Sequence, residues 1–252
     1  PLTARSQFYI ATRAPDMRMT IPPFGSANAS QFNVEIETEL SAECAYIYNT
    51  PTAPNASDFD LFQKFNDAGN KHTASGFIIP SGVESATLHA YCRTPQWGIA
   101  QKSFAITLDT EPPIIKRVIA EPPIIAEKYY PDKDLYVTTM KVELDKPGFC
   151  KYSTTTSQFG QMNSTFPGYD LVPKTTHNVQ INVTEQRTYH YYISCKGTNQ
   201  LVSEPAEFDV IVDLNLPLNI TSITPRGFST NNVTIGIAAT KRVFCYFGTQ
   251  ED

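Results

Sequence analysis

A short strand reading Cys-x-Tyr recurs in the chain and constrains the fold more than any other feature. It occurs as Cys44-Ala45-Tyr46 and Cys150-Lys151-Tyr152, and as a variant with the aromatic residue one position earlier, Cys245-Tyr246-Phe247. The three cysteines are 106 and 95 residues apart, which is the length of one small β-sandwich. Apolar residues ten and eight positions before each cysteine alternate as in a strand with one buried face: Val34 and Ile36, Met140 and Val142, Ile235 and Ile237. The pattern predicts an array of related modules.

The predicted fold class is all-β, in the form of tandem β-sandwich modules of which two are complete and two partial. An apolar strand that reaches an acidic residue and then a proline ends each complete module, at Asp109 and Asp213. The predicted parts are the last strand of a preceding module at 1–15, a first module at 16–110, a second at 111–214 and the start of a third at 215–252. The strands predicted for the first module are 17–21, 32–40, 43–49, 76–80, 85–93 and 102–109.

Both end pieces are incomplete by comparison with the repeat, and the chain opens on Pro1 without a methionine. The sequence is therefore expected to be cut from a longer protein. The alternative is that residues 1–15 insert as a strand into the open third module of a neighbouring copy.

Composition limits the classes of function. Hydrophobic residues make up 41 % and charged residues 18 % of the 252 positions, which is enough for packed cores. A net charge of −5 leaves no basic footprint for nucleic acid, and no such partner is expected. No apolar run approaches the roughly 20 residues of a membrane-spanning helix, so no membrane insertion is expected in this segment.

The cysteines are predicted to form one disulfide within each complete module, Cys44 with Cys92 and Cys150 with Cys195. Apolar residues four and two positions before Cys92 and Cys195 place both on the buried face of their strands. Closing loops of this size stabilises by about 4 kcal/mol. The alternative is two buried free thiols in each module. A zinc site is disfavoured because no Cys-x2-Cys pair exists, and Cys245 is expected to pair beyond residue 252.

Asn-x-Ser/Thr sequons indicate N-linked glycans. Asn182 alternates with the inward residues Ile181 and Val183, which predicts that its side chain faces solvent. The alternative is that a polar β-surface is simply rich in Asn and Thr. The six predicted sites are Asn28, Asn55, Asn163, Asn182, Asn219 and Asn232.

The sequence contains no recognisable arrangement for catalysis or for a cofactor, and the chain is predicted not to be an enzyme. No Gly-x-Ser-x-Gly, His-Glu-x-x-His or P-loop motif occurs. A structural role is expected for the four histidines, His72, His89, His177 and His190.

No metal site is predicted either. The alternating acidic pairs lack the glycine and distal glutamate of a calcium loop: Asp58 with Asp60, and Asp132 with Asp134. Calcium at the joints 109–111 and 213–215 is a weaker alternative to polar caps on the last strands.

The recurring order is Cys-x-Tyr, an aromatic or methionine segment, a histidine, a tyrosine-rich strand ending in cysteine, and Phe-x-Val-x-x-Asp before a proline. The residues that form it in the second module are Cys150, Tyr152, Phe159, Met162, His177, 189–195 and Phe208. The first module keeps Cys44, Tyr46, Phe65, His72 and Cys92 but has 88–91 in place of the tyrosine run. This order resembles immunoglobulin-like modules repeated in large archaeal surface proteins and, more loosely, fibronectin-III-type sandwiches. The resemblance implies tandem immunoglobulin-like sandwiches and, by analogy, a structural role in a surface layer, appendage, filament or adhesin.

The favoured function is a structural or adhesive component of an extracellular surface layer, appendage or filament that self-associates into a lattice or filament. One alternative is an ectodomain that binds a carbohydrate or protein, for which the phenylalanine-rich insert at 50–75 is the candidate binding loop. A weaker alternative is an accessory module of a secreted hydrolase.

Overall fold

The computed structural model describes residues 15–66, 69–94, 98–217, 219–224 and 236–239. These residues are mostly β-strand, and the protein is an all-β protein of tandem sandwich modules. It divides into two compact units, which we call unit 1 and unit 2. Unit 1 is Pro1–Pro112 with Lys196–Leu201, and unit 2 is Pro113–Cys195 with Val202–Asp252.

Unit 1 is built around one long strand that takes part in two layers. The strands are β1 (Met17–Ile21), β2 (Ser26–Ala27), β3 (Gln31–Tyr48), β4 (Gln63–Lys64), β5 (Gly69–Ile78), β6 (Ser85–Thr94) and β7 (Gly98–Leu108). The long strand is β3: its first half pairs with β1 and β5, and its second half pairs with β4 and β6. In the second layer β7 follows β6, and β2 lies beyond β7.

Two strand predictions for the first module need correction. The predicted strands 32–40 and 43–49 are one continuous strand, β3. The change of layer is made by a register shift against β5 between Glu37 and Ala42. The predicted strand 76–80 begins earlier, at Gly69. Its alternation is hidden in the sequence because one of its inward residues is the polar His72.

Unit 2 repeats this plan. Its strands are β8 (Ile115–Glu121), β9 (Ile124–Ile125), β10 (Tyr136–Ser153), β11 (Ser164–Thr165), β12 (Lys174–Val183), β13 (Thr188–Gly197) and β14 (Ala206–Val212). The long strand is β10: its first half pairs with β8 and β12, and its second half lies beside β11 and β13. A register shift against β12 falls between Glu143 and Gly148, 106 residues after the shift in unit 1.

Each unit has its own hydrophobic core between the two layers. In unit 1 the inward residues of β3 and β6, such as Ile36 and Leu88, belong to one cluster. In unit 2 the corresponding residues of β10 and β13, such as Val142 and Ile193, belong to a second cluster. All four side chains are essentially inaccessible to water, so apolar burial supplies most of the stabilisation of each sandwich.

The two predicted partial modules are described only in small part. Residues 1–14 lie outside the described residues, so the predicted last strand of a preceding module is not addressed. In the predicted third module the described strands are β15 (Ile220–Thr224) and β16 (Gly236–Ala239), which form an antiparallel pair. Cys245 also lies outside the described residues.

Candidate functional surfaces

A disulfide joins the long strand to its neighbour in each unit. Cys44 lies directly opposite Cys92 across β3 and β6, with 4.2 Å between their Cα atoms. Cys150 on β10 is bonded to Cys195 on β13, with 4.1 Å between the Cα atoms. All four cysteines are buried, so each bond lies inside its sandwich at the point where the second layer begins.

An aromatic group beside each disulfide is also repeated. In unit 1 the ring of Phe65 packs against Tyr46, with 4.9 Å between centroids, and against His72 at 6.3 Å. In unit 2 the ring of Phe166 packs against Tyr152 at 5.4 Å and His177 at 5.8 Å. Both phenylalanines donate their backbone N–H to the carbonyl of the first cysteine of their unit.

The counterpart of Phe65 is therefore Phe166, and not Phe159 as the sequence pattern suggested. Phe159 instead begins a short 3-10 helix, and Lys151 Nζ lies 5.1 Å from the centroid of its ring.

The histidines of the two groups are core residues. His72 Nε2 lies 3.3 Å from Thr38 Oγ1, and His177 Nε2 donates to the carbonyl of Lys174 at 3.0 Å. Burial lowers the pKa of His177, which keeps the ring neutral.

The insert at 50–75 covers the outer face of β6 in unit 1. Tyr91 donates its hydroxyl proton to the carbonyl of Pro54 at 2.7 Å, and its ring lies 4.7 Å from that of Phe62. His89 Nε2 donates to the carbonyl of Thr50 at 3.1 Å, so its Nδ1 accepts from Ser103 Oγ. These contacts hold residues 50–62 across the sheet, and we call this segment the strap.

The phenylalanines of the insert are consequently unavailable as a binding loop. Phe59 is 1 % exposed, and Phe62 and Phe65 are also buried. Phe59 and Phe62 form a small cluster with Tyr91, whereas Phe65, which follows the strap, belongs to the main core. Leu61, at 86 % exposure, is a large apolar side chain that the strap presents to solvent. The buried phenylalanines therefore provide no binding surface, and ligand binding by the insert stays a prediction.

Charged residues fix the strap at its edge. The ring of Phe59 lies 3.6 Å from Lys64 Nζ and 4.5 Å from the Arg93 guanidinium carbon, so cations lie against its π face. Arg93 donates to Glu43 at 2.7 Å and pairs with Asp60 at 3.3 Å. The hydrogen bond from Arg93 is the main reason that the pKa of Glu43 is lowered. This cluster ties the strap to β3 and β6.

The outer face of unit 2 has a different set of residues. His190 lies on β13 directly opposite Asp209 on β14, and its Nδ1 donates to Asp209 Oδ1 at 2.7 Å. Its Nε2 is 3.7 Å from Glu207 Oε2, and its ring packs edge to face against Tyr192. His190, Glu207 and Asp209 are all exposed. The sequence pattern did not single out the two carboxylates, although they alternate with Phe208 and Val210 in the last strand.

The structure places five of the six predicted glycosylation asparagines on the exposed surface. Asn182 points outward from β12 between the buried Ile181 and Val183, as its alternation predicted. Asn55 accepts a hydrogen bond through Oδ1 from the N–H of Ser57, which leaves its amide nitrogen for a glycan. The exposed five are Asn28, Asn55, Asn163, Asn182 and Asn219, and Asn232 lies outside the described residues. Glycosylation at these positions stays a prediction.

The joint carboxylates form local turns. Asp109 Oδ1 accepts from the N–H of Glu111 at 3.4 Å, and Asp213 Oδ1 accepts from the N–H of Asn215 at 2.9 Å. Among the described residues, no group of three or more His, Cys, Asp or Glu side chains is arranged to hold a metal ion. No helix in the described ranges has the length and apolar character needed to cross a membrane.

Two of the solved structures that match the chain are of different kinds. The fibronectin(III)-like modules of Clostridium thermocellum CbhA match at 10 % identity and a TM-score of 0.35, over 80 % of this chain and 97 % of that chain. Red sea bream transglutaminase matches at 10 % identity and a TM-score of 0.24, over 80 % of this chain and 32 % of that one. The likeness concerns the fold alone. No protein-family model and no curated protein matches the chain.

Proposed function

We propose that the protein is a non-catalytic structural or adhesive component of an extracellular surface layer, appendage or filament, built from disulfide-stabilised and glycosylated immunoglobulin-like repeats. The observation that supports this most is the repetition of one framework, in which a long strand changes layers and is bonded by a buried disulfide to its neighbour. A framework copied in tandem extends a protein without adding a reaction site.

The disulfides support an extracellular location. Disulfides of this kind persist in oxidising compartments and are rare in a reducing cytosol. Exposed sequons on both units agree with this location, since N-linked glycans occur on secreted surfaces. Assembly into a lattice or filament completes the proposal, because surface layers and appendages consist of repeated contacts between copies.

The test uses natively purified protein in two measurements. Electron microscopy of negatively stained material is expected to show lattices or filaments, and fields of dispersed monomers would count against assembly. Peptide mapping without reductant is expected to recover Cys44 bonded to Cys92 and Cys150 bonded to Cys195. The same mapping should find glycan at several sequons, Asn182 among them, whereas unmodified masses at all six would remove glycosylation from the proposal.

A further inference from the structure

Strand β14 has an open edge in unit 2. Along one side it pairs with β13 over residues 206–211. Along the other, β9 joins it only at Ile211 and Val212, and within the described residues no further strand pairs with it there. Strand β8 lies close to β14 but pairs with β10. The outward N–H and C=O groups of residues 206–210 therefore have no strand partner among the described residues.

The corresponding edge of unit 1 is guarded by a lysine. Lys102 on β7 lies opposite Ala90, two residues before Cys92, and so starts from the core-facing side of the sheet. Its Nζ reaches out to Asp16 Oδ1 at 3.1 Å and to the carbonyl of Met17. A strand added to this edge would cover that charge, and inward-pointing charges at sheet edges oppose such additions for this reason.

Unit 2 lacks this guard. The residue opposite Ile193, two positions before Cys195, is Ala206. An alanine therefore occupies the position that has a lysine in unit 1, and an added strand would bury no lysine charge there. Among the residues that the structure describes, no contacts like those of the strap cover the outer face beside β14, where His190 and Glu207 are exposed.

The side chains of the open edge define the kind of strand that fits. Glu207 and Asp209 point to the same outer face, two residues apart, and their side chains are 67 % and 53 % exposed. His190 contacts both of them from β13. A second β14 pairing antiparallel about Phe208 would place Glu207 opposite Asp209 of the other copy, and like charges directly opposite each other are destabilising.

We propose that the β14 edge is a binding site for an extended segment of another polypeptide with basic residues at alternate positions, which joins the sheet as an additional strand. Backbone hydrogen bonds from residues 206–210 would hold the segment. Its lysine or arginine side chains would pair with Glu207 and Asp209, and the apolar residues between them would lie over Ala206 and Phe208. This site goes beyond the proposed function and does not depend on assembly.

The experiment measures binding of two labelled nine-residue peptides to the full chain by fluorescence anisotropy. In one peptide lysine alternates with valine, and in the other glutamate replaces lysine. The lysine peptide is expected to bind about tenfold more tightly or better, because two attractive cross-strand pairs replace two repulsive ones. Hydrogen exchange should show new protection at residues 206–210 in the complex and unchanged exchange at Gly98–Leu108.

Three variants locate the site. Ala206→Lys installs the guard of unit 1 and is expected to weaken binding of the lysine peptide about tenfold or more. Thr176→Lys, at an exposed position on β12, which pairs with β10 and not with β14, adds the same charge in the other layer and is expected to leave binding within about twofold. The double variant Glu207→Gln/Asp209→Asn should keep backbone pairing and reduce the preference between the peptides to about threefold or less.

The outcomes are decisive in each case. Equal affinity for both peptides, absence of protection at residues 206–210, or undiminished binding by a folded Ala206→Lys variant would overturn the proposal. Concentration-dependent dimers protected at residues 206–210 would assign the edge to a second copy instead, and would overturn it as well. If Ala206→Lys fails to fold by circular dichroism, the charge-neutral double variant and the exchange measurement still decide. Assembly seen by microscopy is a separate result, so this proposal and the proposed function can fail independently.

Discussion

Units 1 and 2 have the same interior framework. They differ in the residues that cover the outer face and the edge of the second layer, which contains β6 and β7 in unit 1 and β13 and β14 in unit 2. Both place a disulfide, a tyrosine, a phenylalanine and a histidine at matching positions around the long strand. In unit 1 the strap covers the outer face of β6 and Lys102 guards the edge of β7. In unit 2 the matching face presents His190 and the matching edge begins with Ala206.

The difference shows which positions the repeat leaves free to vary. Interior residues of a sandwich touch many neighbours at crystal-like density, so a change at one position requires changes at several others. Edge and outer-face residues have few such neighbours, and they can change without disturbing the framework. The two units therefore have one mechanism of stability and two different surfaces, and among the described residues the edge of β14 in unit 2 carries alanine where the edge of β7 carries lysine.

The largest expected effect removes the element that the units share. Replacing both cysteines of one pair, in Cys44→Ala/Cys92→Ala or in Cys150→Ala/Cys195→Ala, should destabilise the affected unit by about 4 kcal/mol. The two losses should be similar because the closed loops span 48 and 45 residues. Hydrogen exchange measured separately over β6 and β13 reports each unit. Equal loss of protection in both units from either variant would show that the frameworks are not independent.

The next effect distinguishes the strap of unit 1 from the short 3-10 helix that begins at Phe159 in unit 2. Phe59→Ala removes a side chain that is fully buried between the sheet and two cations, and should destabilise unit 1 by about 3 kcal/mol. Phe159→Ala removes a half-buried ring and should destabilise unit 2 by about 1 kcal/mol. Urea unfolding followed by exchange at β6 and β13 gives both values. Equal losses would mean that the outer faces are covered alike.

A smaller effect tests the buried histidine of unit 2. Because burial lowers the pKa of His177, the unfolded chain binds a proton at a higher pH than the folded chain does. This contribution to stability is complete above the unfolded pKa of about 6.5 and is lost as the pH falls through the folded value, with a slope of at most about 1.4 kcal/mol per pH unit. His177→Gln should flatten the profile of unfolding free energy below pH 6.5, measured by urea unfolding at a series of pH values. Asn178→Gln, at an exposed and non-titrating position on the same strand, is the control and should leave the profile unchanged.

These differences also explain how far the sequence alone could predict the molecule. The period-two alternation before Cys44 and Cys150 predicted the inward residues of the long strand, because strand periodicity is local. The alternation before Cys92 and Cys195, repeated in both modules, predicted the cysteine pairs. The match between Phe65 and Phe166 was missed since they follow their cysteines by 21 and 16 residues, and only strand pairing brings them to one place. Lys102 and Ala206 are uninformative in the sequence, because a residue guards an edge only when its strand lies at one.

The smallest expected effect on stability should produce a new binding property. Lys102→Ala removes an ion pair with Asp16 whose two side chains are 44 % and 74 % exposed, so unit 1 should lose less than about 1 kcal/mol. The variant, however, places an alanine on β7 at the position that Ala206 occupies on β14, so the edge of β7 no longer carries a lysine. It should bind the alternating peptides at a second position, with new protection at Gly98–Leu108. That position should not discriminate between lysine and glutamate, because the outer residues of β7 there, Gln101 and Ser103, are uncharged.

The control is Lys128→Ala. It removes another lysine that pairs with a carboxylate, Asp134 at 2.6 Å, but both residues lie outside the strands, so this variant should gain no peptide binding. A Lys102→Ala protein that binds no peptide at β7 would show that the lysine is not what closes this edge.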